Sequence, residues 1–205
     1  MIVAKEITKE FGKHKIINNF SLEIFDGDFI SITGASGSGK TTLLNILGLL
    51  QTPTSGCLSF KGVDNPSGRD IMLFQRYDIG YLFQNYALIS NETVLKNLMI
   101  PMKYRKNVDK NEEIKKSLSF VGLSGSEHKK VFELSGGEQQ RVALARVLVK
   151  DCSYILADEP TGNLDTKNRD IVFDILQELN RLGKTIVFVT HDNELVNKAT
   201  SHIEL

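Results

Sequence analysis

The segment Gly34–Thr42, GASGSGKTT, limits the possible folds of this chain more than any other segment. It fits the pattern G-x-x-x-x-G-K-[ST], follows the β-rich run DFISITG and precedes TTLLNILGLL, which has helical length and periodicity. Glycines in such a loop allow tight turns that aim backbone N–H groups at phosphate oxygens. Lys40 adds positive charge, and the Thr41 hydroxyl is suited to bind Mg²⁺. The segment therefore predicts a strand, a phosphate-binding loop and a helix, in that order.

Polar side chains end two other apolar runs, SYILAD and TIVFVTH. Asp158 would stand at the end of a buried strand, where a fixed carboxylate can hold Mg²⁺ directly or through water. Glu159 is then the natural general base for a water that attacks the γ-phosphate. His191 ends the other run, at the carboxyl edge of a sheet where α/β sites lie. The remaining histidines are predicted to be structural: His14, His128 and His202.

A second phosphate-binding feature stands far along the chain, in ELSGGEQQR. Ser135, Gly136 and Gly137 lead directly into a helical run, EQQRVALARVLVK. Free backbone N–H groups at a helix start, with the positive end of the helix dipole behind them, bind anions well. The chain therefore has two predicted phosphate sites.

Composition excludes several classes of protein. The 25 basic residues balance the 25 acidic ones, so no nucleic-acid partner is expected. The apolar runs are too short to span a bilayer, and the start of the sequence lacks the pattern of a signal peptide, which predicts a cytoplasmic protein. Cys57 and Cys152 stand alone and are predicted to be free thiols.

The order of the remaining patterns predicts an α/β fold with parallel strands. MIVAKEITKEF and FSLEIF alternate as half-buried strands do, SGCLSFKG and IGYLFQN read as strands, and VDNPSGRD reads as a loop. A helix is expected between a cap at Asp109 and an end at Gly122. Later, the helical run DIVFDILQELNRLG separates SYILAD from TIVFVTH, two β-branched runs typical of buried parallel strands.

Four motifs, GASGSGKTT, LSGGEQQR, ILADEPTGNLD and VTHD, occur in the order and rough spacing of the ABC-type ATPase domain. The chain resembles that family over essentially its whole length, and LSGG is highly specific to it. The resemblance implies a P-loop NTPase fold of ABC type, with a mostly parallel sheet core, an N-terminal antiparallel β subdomain and an inserted α-helical lobe. A single domain is then expected over 1–205, with the core in 1–85 and 152–205 and the lobe in 86–151.

The resemblance also implies roles for individual residues in an ATPase that uses Mg²⁺. Phe11, in TKEFGKHKII, matches the aromatic residue that stacks on adenine, although the family usually has tyrosine there. Gln84 matches the glutamine that senses Mg²⁺ and the attacking water, Asp165 matches a residue that reaches across a dimer, and His191 matches a histidine that contacts the γ-phosphate. Catalytic roles are expected for Lys40, Gln84, Glu159 and His191, and Mg²⁺ ligation for Thr41, Gln84 and Asp158. Nucleotide contacts are expected from Phe11, Gly34, Ala35, Ser36, Gly37, Ser38, Gly39, Lys40, Thr41, Thr42, Ser135, Gly136 and Gly137.

In this family the LSGG segment completes the ATP site of a second copy that packs head to tail. The γ-phosphate would then hold two chains together, and its removal would release them. A difference in the affinities of ATP and ADP for the closed pair can drive such a cycle. The resemblance therefore implies a dimer with two shared ATP sites.

The partner implied by the resemblance is an integral membrane permease, reached through the helical lobe and the Gln84 region. ADEPTGNLD resembles the branch of macrolide exporters, lipoprotein-release ATPases, antimicrobial-peptide transporters and putative bacteriocin exporters. Export or extraction of a peptide, lipid-linked or drug-like substrate is expected, with the chain held at the inner face of the membrane. Five apolar residues are expected either to line a groove for a permease helix or to form the core of the lobe: Tyr86, Leu88, Ile89, Met99 and Met102.

Two alternatives share the ATPase fold. A cell-division type of ABC ATPase transmits force to a membrane partner without transport, and the sequence does not separate it from a transport subunit. Translation-linked members usually have two ATPase domains or a long coiled-coil insert, and this sequence shows neither.

Overall fold

The computed structural model describes residues 1–205, which form two sheets and seven α-helices. The elements follow one another in this order: β1 (Ile2–Phe11), β2 (His14–Ile24), β3 (Phe29–Thr33), α1 (Lys40–Leu47), β4 (Ser55–Phe60), β5 (Val63–Asp64), α2 (Arg69–Tyr77), β6 (Ile79–Leu82), α3 (Val94–Met99), α4 (Lys110–Phe120), α5 (Gly136–Lys150), β7 (Tyr154–Asp158), α6 (Thr166–Arg181), β8 (Thr185–Val189), α7 (Asn193–Val196) and β9 (Ser201–Glu204). Two short 3₁₀ turns cover Pro101–Tyr104 and Val131–Glu133.

The first sheet is antiparallel and has the strand order β2-β1-β4-β5. Gly12 closes the β1–β2 hairpin at a φ of 61°, a conformation that glycine adopts without the steric penalty of a side chain. The apolar faces of these strands cover α1, and Phe60 of β4 packs against Tyr154 with ring centroids 5.0 Å apart. This sheet therefore shares a core with one face of the second sheet.

The second sheet has the strand order β6-β7-β8-β3-β9, and all of its pairings are parallel. Every residue of β8 is buried, as expected for a strand covered on both faces. On the face away from the first sheet, the rings of Phe29, Phe173 and Phe188 pack together beneath α6. The predicted fold class is confirmed, and the carboxyl ends of β3, β7 and β8 meet at one edge.

Helices α3, α4 and α5 follow one another between β6 and β7, where the sequence predicts a helical lobe. Asp109 caps α4 by accepting hydrogen bonds from the backbone N–H groups of Asn111 and Glu112, and Gly122 follows its end with a φ of 70°. The predicted bounds of this helix are confirmed. Buried apolar side chains of all three helices join the core beneath α6.

Four elements lie outside the sequence-based prediction: β5, α2, α7 and β9. Strand β5 and the first two residues of α2 lie in VDNPSGRD, so the predicted loop is wrong at those residues. Gly68, which precedes α2, supplies no side-chain cap to mark its start. Strand β9 is a short edge strand with only one partly buried residue, so its sequence has no apolar alternation. No helix of the structure has both the length and the apolar character needed to cross a membrane. Both cysteines are free thiols, as predicted.

The structure divides the five apolar residues expected at a groove or in the lobe core. Met102 is fully buried, so the groove alternative is wrong for this residue. Tyr86 and Leu88 are partly buried and pack against the same core, whereas Ile89 and Met99 are exposed. Nearby, the buried Asn97 side chain accepts a hydrogen bond from the Ile89 N–H and donates one to the Ile89 carbonyl oxygen. These bonds fix the segment that follows β6.

Candidate nucleotide-binding site

The phosphate-binding loop joins β3 to α1, and its backbone requires glycine at two positions. Gly34 and Gly39 have φ angles of 143° and 101°. A Cβ atom on Gly34 would lie 2.8 Å from Ser38 Oγ, and one on Gly39 would lie 2.8 Å from the side chain of Ile16. The Lys40 ammonium group turns back over the loop and donates hydrogen bonds to the carbonyl oxygens of Gly34 and Ala35, at 3.0 and 2.8 Å. The loop is therefore compact and carries a buried positive charge.

A cleft of 330 Å³ lies beside this loop. Its lining brings together nine of the predicted site residues: Phe11, Ser36, Gly37, Gly39, Lys40, Thr41, Thr42, Glu159 and His191. Ile16 of β2 also lines the cleft and was not predicted, because nothing in KHKIINN distinguishes it from any other strand residue. The buried Ser38 hydroxyl has no hydrogen-bond partner within the protein. An anion held by the loop would give this polar group a partner.

Thr41 and Asp158 form a pair of oxygens suited to a magnesium ion. The Thr41 hydroxyl donates a hydrogen bond of 3.2 Å to Asp158 Oδ1. Neighbouring ligands of an octahedral Mg²⁺ at 2.0–2.1 Å lie about 3 Å apart, so both oxygens could bind one ion without a large movement. Burial raises the pKa of Asp158 above its usual range, and the hydrogen bond from Thr41 opposes that shift. A cation at this position would compensate the half-buried carboxylate.

Glu159 and His191 meet at the ends of β7 and β8. His191 Nε2 lies 2.7 Å from Glu159 Oε1, which is hydrogen-bond distance. Glu159 has a φ of 45°, a left-handed conformation that is uncommon for a residue with a side chain. Such conformations persist where the surrounding structure imposes them, and they cluster at functional sites. The fold thus holds the Glu159 carboxylate at the edge of the cleft, with one oxygen close to the imidazole.

Phe11 ends β1 at the rim of the cleft, and 48 % of its surface is exposed. The Lys9 ammonium group lies 5.1 Å from the centre of the Phe11 ring, so one face of the ring already carries a cation. An exposed ring at this place offers a flat apolar surface to a planar base.

The second predicted phosphate feature begins α5 and does not line the cleft of the Lys40 loop. The Ser135 hydroxyl accepts from the backbone N–H of Glu138 at 3.3 Å, and the Glu138 carboxylate accepts from the Ser135 N–H at 2.9 Å. These bonds form a capping box. The hydrogen bonds that the Glu138 carboxylate accepts from the Ser135 N–H and from the Ser135 hydroxyl hold the pKa of Glu138 below its usual range. The N–H groups of Gly136 and Gly137 are left at the first turn of the helix, away from the loop of the same chain.

Asp165 and Gln84 also lie apart from the cleft. Asp165 caps α6, since its Oδ1 atom accepts from the Asn168 N–H at 2.9 Å. Gln84 is exposed in the turn that follows β6. The fold therefore brings the loop, Glu159 and His191 together, and leaves Gln84, Asp165 and the start of α5 outside the cleft.

Asn168 and Arg169 contact these functional segments and were not predicted. The Asn168 side chain donates to Asp165 Oδ2 at 2.7 Å and accepts from Arg141 of α5 at 2.8 Å. Arg169 contacts the segment that follows His191. Neither residue belongs to a recognisable motif, and their partners in other segments, Arg141, Asp192 and Glu194, lie 23 to 27 residues away in the sequence, so no local signal points to these contacts.

The sequence comparisons agree on one family. A family model described as "ABC transporter" matches residues 17–162. Over its full length the chain is 44 % identical to a macrolide export ATP-binding/permease protein of Campylobacter jejuni, and it spans 33 % of that protein. It is 42 % identical to a lipoprotein-releasing system ATP-binding protein of Aquifex aeolicus, with 98 % of this chain and 92 % of the relative covered.

A solved structure also matches this chain. It is a dimeric structure of an ATP-binding cassette in a post-hydrolysis state, bound to ADP and Pi. The TM-score is 0.90 at 36 % identity, and the match covers 100 % of this chain and 94 % of the other. This chain spans only about a third of the macrolide export relatives and nearly all of that cassette.

Proposed function

This chain belongs to the ABC transporter family of ATPases, and we propose that two copies close head to tail around two ATP molecules to drive a separate membrane permease. One observation carries the proposal. The chain has two phosphate-binding features, the Lys40 loop and the start of α5, and they do not share a cleft. A head-to-tail pair gives each loop the helix start of the other copy as a second wall.

The residues of the cleft supply the chemistry of hydrolysis. Lys40 and the loop N–H groups bind the β- and γ-phosphates and stabilise the charge that develops there. Thr41 and Asp158 would hold Mg²⁺, and the ion would neutralise phosphate charge when bound. Glu159 accepts a proton from the attacking water, and the His191 imidazole, 2.7 Å from one of its oxygens, orients its carboxylate.

Cleavage of the γ-phosphate then controls the contact between copies. The N–H groups at the start of α5 would face the terminal phosphate of the ATP held by the other chain. Hydrolysis removes that phosphate and weakens the contact, so the pair opens. Because only the difference in affinity between ATP and ADP moves such an equilibrium, the closed pair must bind ATP more tightly than ADP.

The test uses a variant that binds ATP and does not hydrolyse it. Glu159→Gln keeps the shape of the side chain and the Mg²⁺ ligands, so with Mg-ATP we expect a stable dimer in size-exclusion chromatography. The double variants with Ser135→Asp and Ser135→Asn form a matched pair. Both new side chains cap a helix well, but only aspartate places a negative charge against the phosphate of the partner's ATP.

We expect the Ser135→Asp double variant to elute as a monomer that still binds ATP, and the Ser135→Asn double variant to retain at least part of the dimer. The same degree of dimerisation in both double variants would contradict the role of the α5 start. A Glu159→Gln protein that binds ATP and stays monomeric would contradict the closed pair itself.

We further propose that the permease docks in a groove of 670 Å³ beside the Gln84 segment. Helix α2, the end of β6, the 3₁₀ turn that begins at Pro101 and α5 form its walls, and the lining residues that carry the argument are Met72, Phe83, Ile100, Arg76, Arg146 and Lys150. None of the three basic side chains forms an ion pair. Arg76 lies over the ring of Tyr104, whereas Arg146 donates to the carbonyl oxygens of Tyr86 and Ala87, and Lys150 to those of Gln75 and Ile79. An apolar permease segment with a carboxylate group would fit this lining.

Ile100 is the side chain to change, because 53 % of its surface is exposed in this groove. Ile100→Glu should preserve ATP hydrolysis by the isolated chain and weaken its association with the permease expressed beside it. Leu182→Glu is the control, since Leu182 is equally apolar, 62 % exposed and outside the groove. Equal co-purification of the two variants with the permease would contradict this docking site.

A further inference from the structure

Arg169, in the first turn of α6, holds an unusual number of carboxylates for one side chain. Its Nη1 atom donates to Asp192 Oδ2 at 2.8 Å, and its Nη2 atom lies 2.9 Å from Glu194 Oε2 and 2.9 Å from Asp170 Oδ1. The Arg169 side chain is only 22 % exposed. Asp170 is its neighbour in sequence, whereas Asp192 and Glu194 belong to the segment that follows His191.

Asp192 transmits this contact to the turn that carries His191. Its backbone N–H bonds the Thr190 hydroxyl at 3.1 Å, and its Oδ1 atom caps α7 by accepting from the Glu194 N–H at 2.9 Å. His191 stands between Thr190 and Asp192, so the turn on its carboxyl side is fixed by one carboxylate. The other oxygen of that carboxylate is the one that Arg169 holds.

A second cleft joins the same residues. It has a volume of 390 Å³ and borders Glu159 and His191 together with Arg169 and Asp192. The guanidinium group therefore lies in the wall of a space that the Glu159–His191 pair also borders. The guanidinium group faces three carboxylates, those of Asp170, Asp192 and Glu194, and their total negative charge exceeds its single positive charge.

We propose that Arg169 is a positioning residue for ATP hydrolysis, which fixes the His191 turn so that the imidazole stays within hydrogen-bond distance of Glu159. Removal of the guanidinium would leave three carboxylates without their common counter-charge, and their repulsion would displace the turn. Helix α6 itself has a separate anchor, because Val172, Phe173 and Leu176 are fully buried. The inference rests on the proposed role of His191 in hydrolysis.

Steady-state kinetics of ATP hydrolysis by the full chain distinguish a positioning role of Arg169 from a role in ATP binding. Arg169→Ala should lower kcat about tenfold and leave KM for ATP within about twofold, because displacement of a catalytic group costs rate more than substrate affinity. Arg169→Lys restores one of the contacts and should recover part of kcat. Arg181→Ala is the matched control, since Arg181 lies at the other end of α6, is 70 % exposed and pairs only with Glu178. It should behave as the parent.

A double-mutant cycle with His191→Ala shows where Arg169 acts. If Arg169 acts through His191, the change Arg169→Ala should not lower kcat further in the His191→Ala chain. Asp192→Asn tests the same contact from its other side, because asparagine can still cap α7 but no longer carries the charge that pairs with Arg169. It should lower kcat in the same direction as Arg169→Ala.

The outcomes distinguish the two proposals. Parental kcat in His191→Ala would contradict the proposed role of His191 in hydrolysis. Low kcat in His191→Ala together with parental kcat in both Arg169→Ala and Asp192→Asn would overturn the positioning role alone. An equal further loss from Arg169→Ala in both backgrounds would also overturn it, since Arg169 would then act by another route.

Discussion

Gly137 is required by its neighbour on α6 as well as by the phosphate that its N–H would bind. A Cβ atom on Gly137 would lie 2.4 Å from both Cγ and Oδ1 of Asn168, far closer than van der Waals contact allows. Asn168 has little freedom to withdraw, because its amide bonds Asp165 at 2.7 Å and Arg141 at 2.8 Å. Gly137→Ala should therefore destabilise the fold.

The magnitude follows from these contacts. Overpacking of a fixed site typically costs about 1–3 kcal/mol, and displaced hydrogen bonds to charged groups add about 1.5 kcal/mol or more each. Alanine is a better helix former than glycine by about 1 kcal/mol, which offsets part of the loss. With one of the two bonds displaced, we expect a net loss of about 1.5–3.5 kcal/mol, or a fall in Tm of about 3–14 °C for a domain of this size.

Thermal unfolding followed by circular dichroism measures this loss. Gly136→Ala is the control at the adjacent position, because its Cβ would meet only the Tyr86 hydroxyl, at 3.3 Å. Gly137→Ala combined with Asn168→Ala should regain part of the stability, since the two closest atoms are then absent. Equal Tm values for Gly136→Ala and Gly137→Ala would refute the reasoning.

Three further variants have definite expected results. Lys40→Ala should weaken ATP binding about tenfold to a hundredfold, at about 1.5–3 kcal/mol for a lost charge-assisted hydrogen bond, and parental affinity in a titration would contradict the assignment of the loop. Gly80→Ala should lower Tm measurably, because its Cβ would lie 2.5 Å from the buried Cys152 Sγ, and an unchanged Tm would contradict that packing. The lowered pKa of Glu138 stabilises the fold above the ordinary value of 4.5, and this contribution is lost as the pH falls through the folded-state pKa. The stability difference between the parent and Glu138→Gln, measured by urea unfolding, should therefore narrow as the pH falls below about 4.5.

The sequence predicts those parts of the fold that local chemistry determines. The Gly34–Thr42 loop and the cap at Asp109 each depend on residues within a few positions of one another, so their patterns survive in a single sequence. Helix α2 begins at Arg69, after a glycine that supplies no side-chain cap, and β9 is an edge strand without apolar alternation. Strand β9 depends on its pairing with β3, which leaves no local signal. Helix α2 has no buried residue, and Ile71 and Phe74 recur at helical spacing, so its sequence does contain a signal that the prediction missed.

Within the site, too, some features could be predicted from the sequence and others could not. Glu159 and His191 follow strands of recognisable type, so their meeting at one sheet edge can be expected from the order of the elements. The sequence does not reveal that their side chains approach to 2.7 Å, which depends on the register of β7 and β8. Nor does it reveal that Ile16 lines the cleft, which depends on how the two sheets pack. Apolar character alone also could not separate Met102, which is buried, from Ile100, which is exposed in the groove.

Two successive residues of α6, Asn168 and Arg169, face different functional segments of the same chain. Asn168 packs against Gly137 at the start of α5, and Arg169 holds the turn that carries His191. Asn168 also accepts a hydrogen bond from Arg141 of α5, Arg169 donates one to Asp192, and Asp165 caps the turn that carries both residues. This turn therefore cannot shift without a change in at least one of these contacts. In the proposed pair of copies, the start of α5 faces the partner's ATP while His191 faces the chain's own. The first turn of α6 therefore joins the half-site that a chain offers to its partner with the half-site that it uses itself.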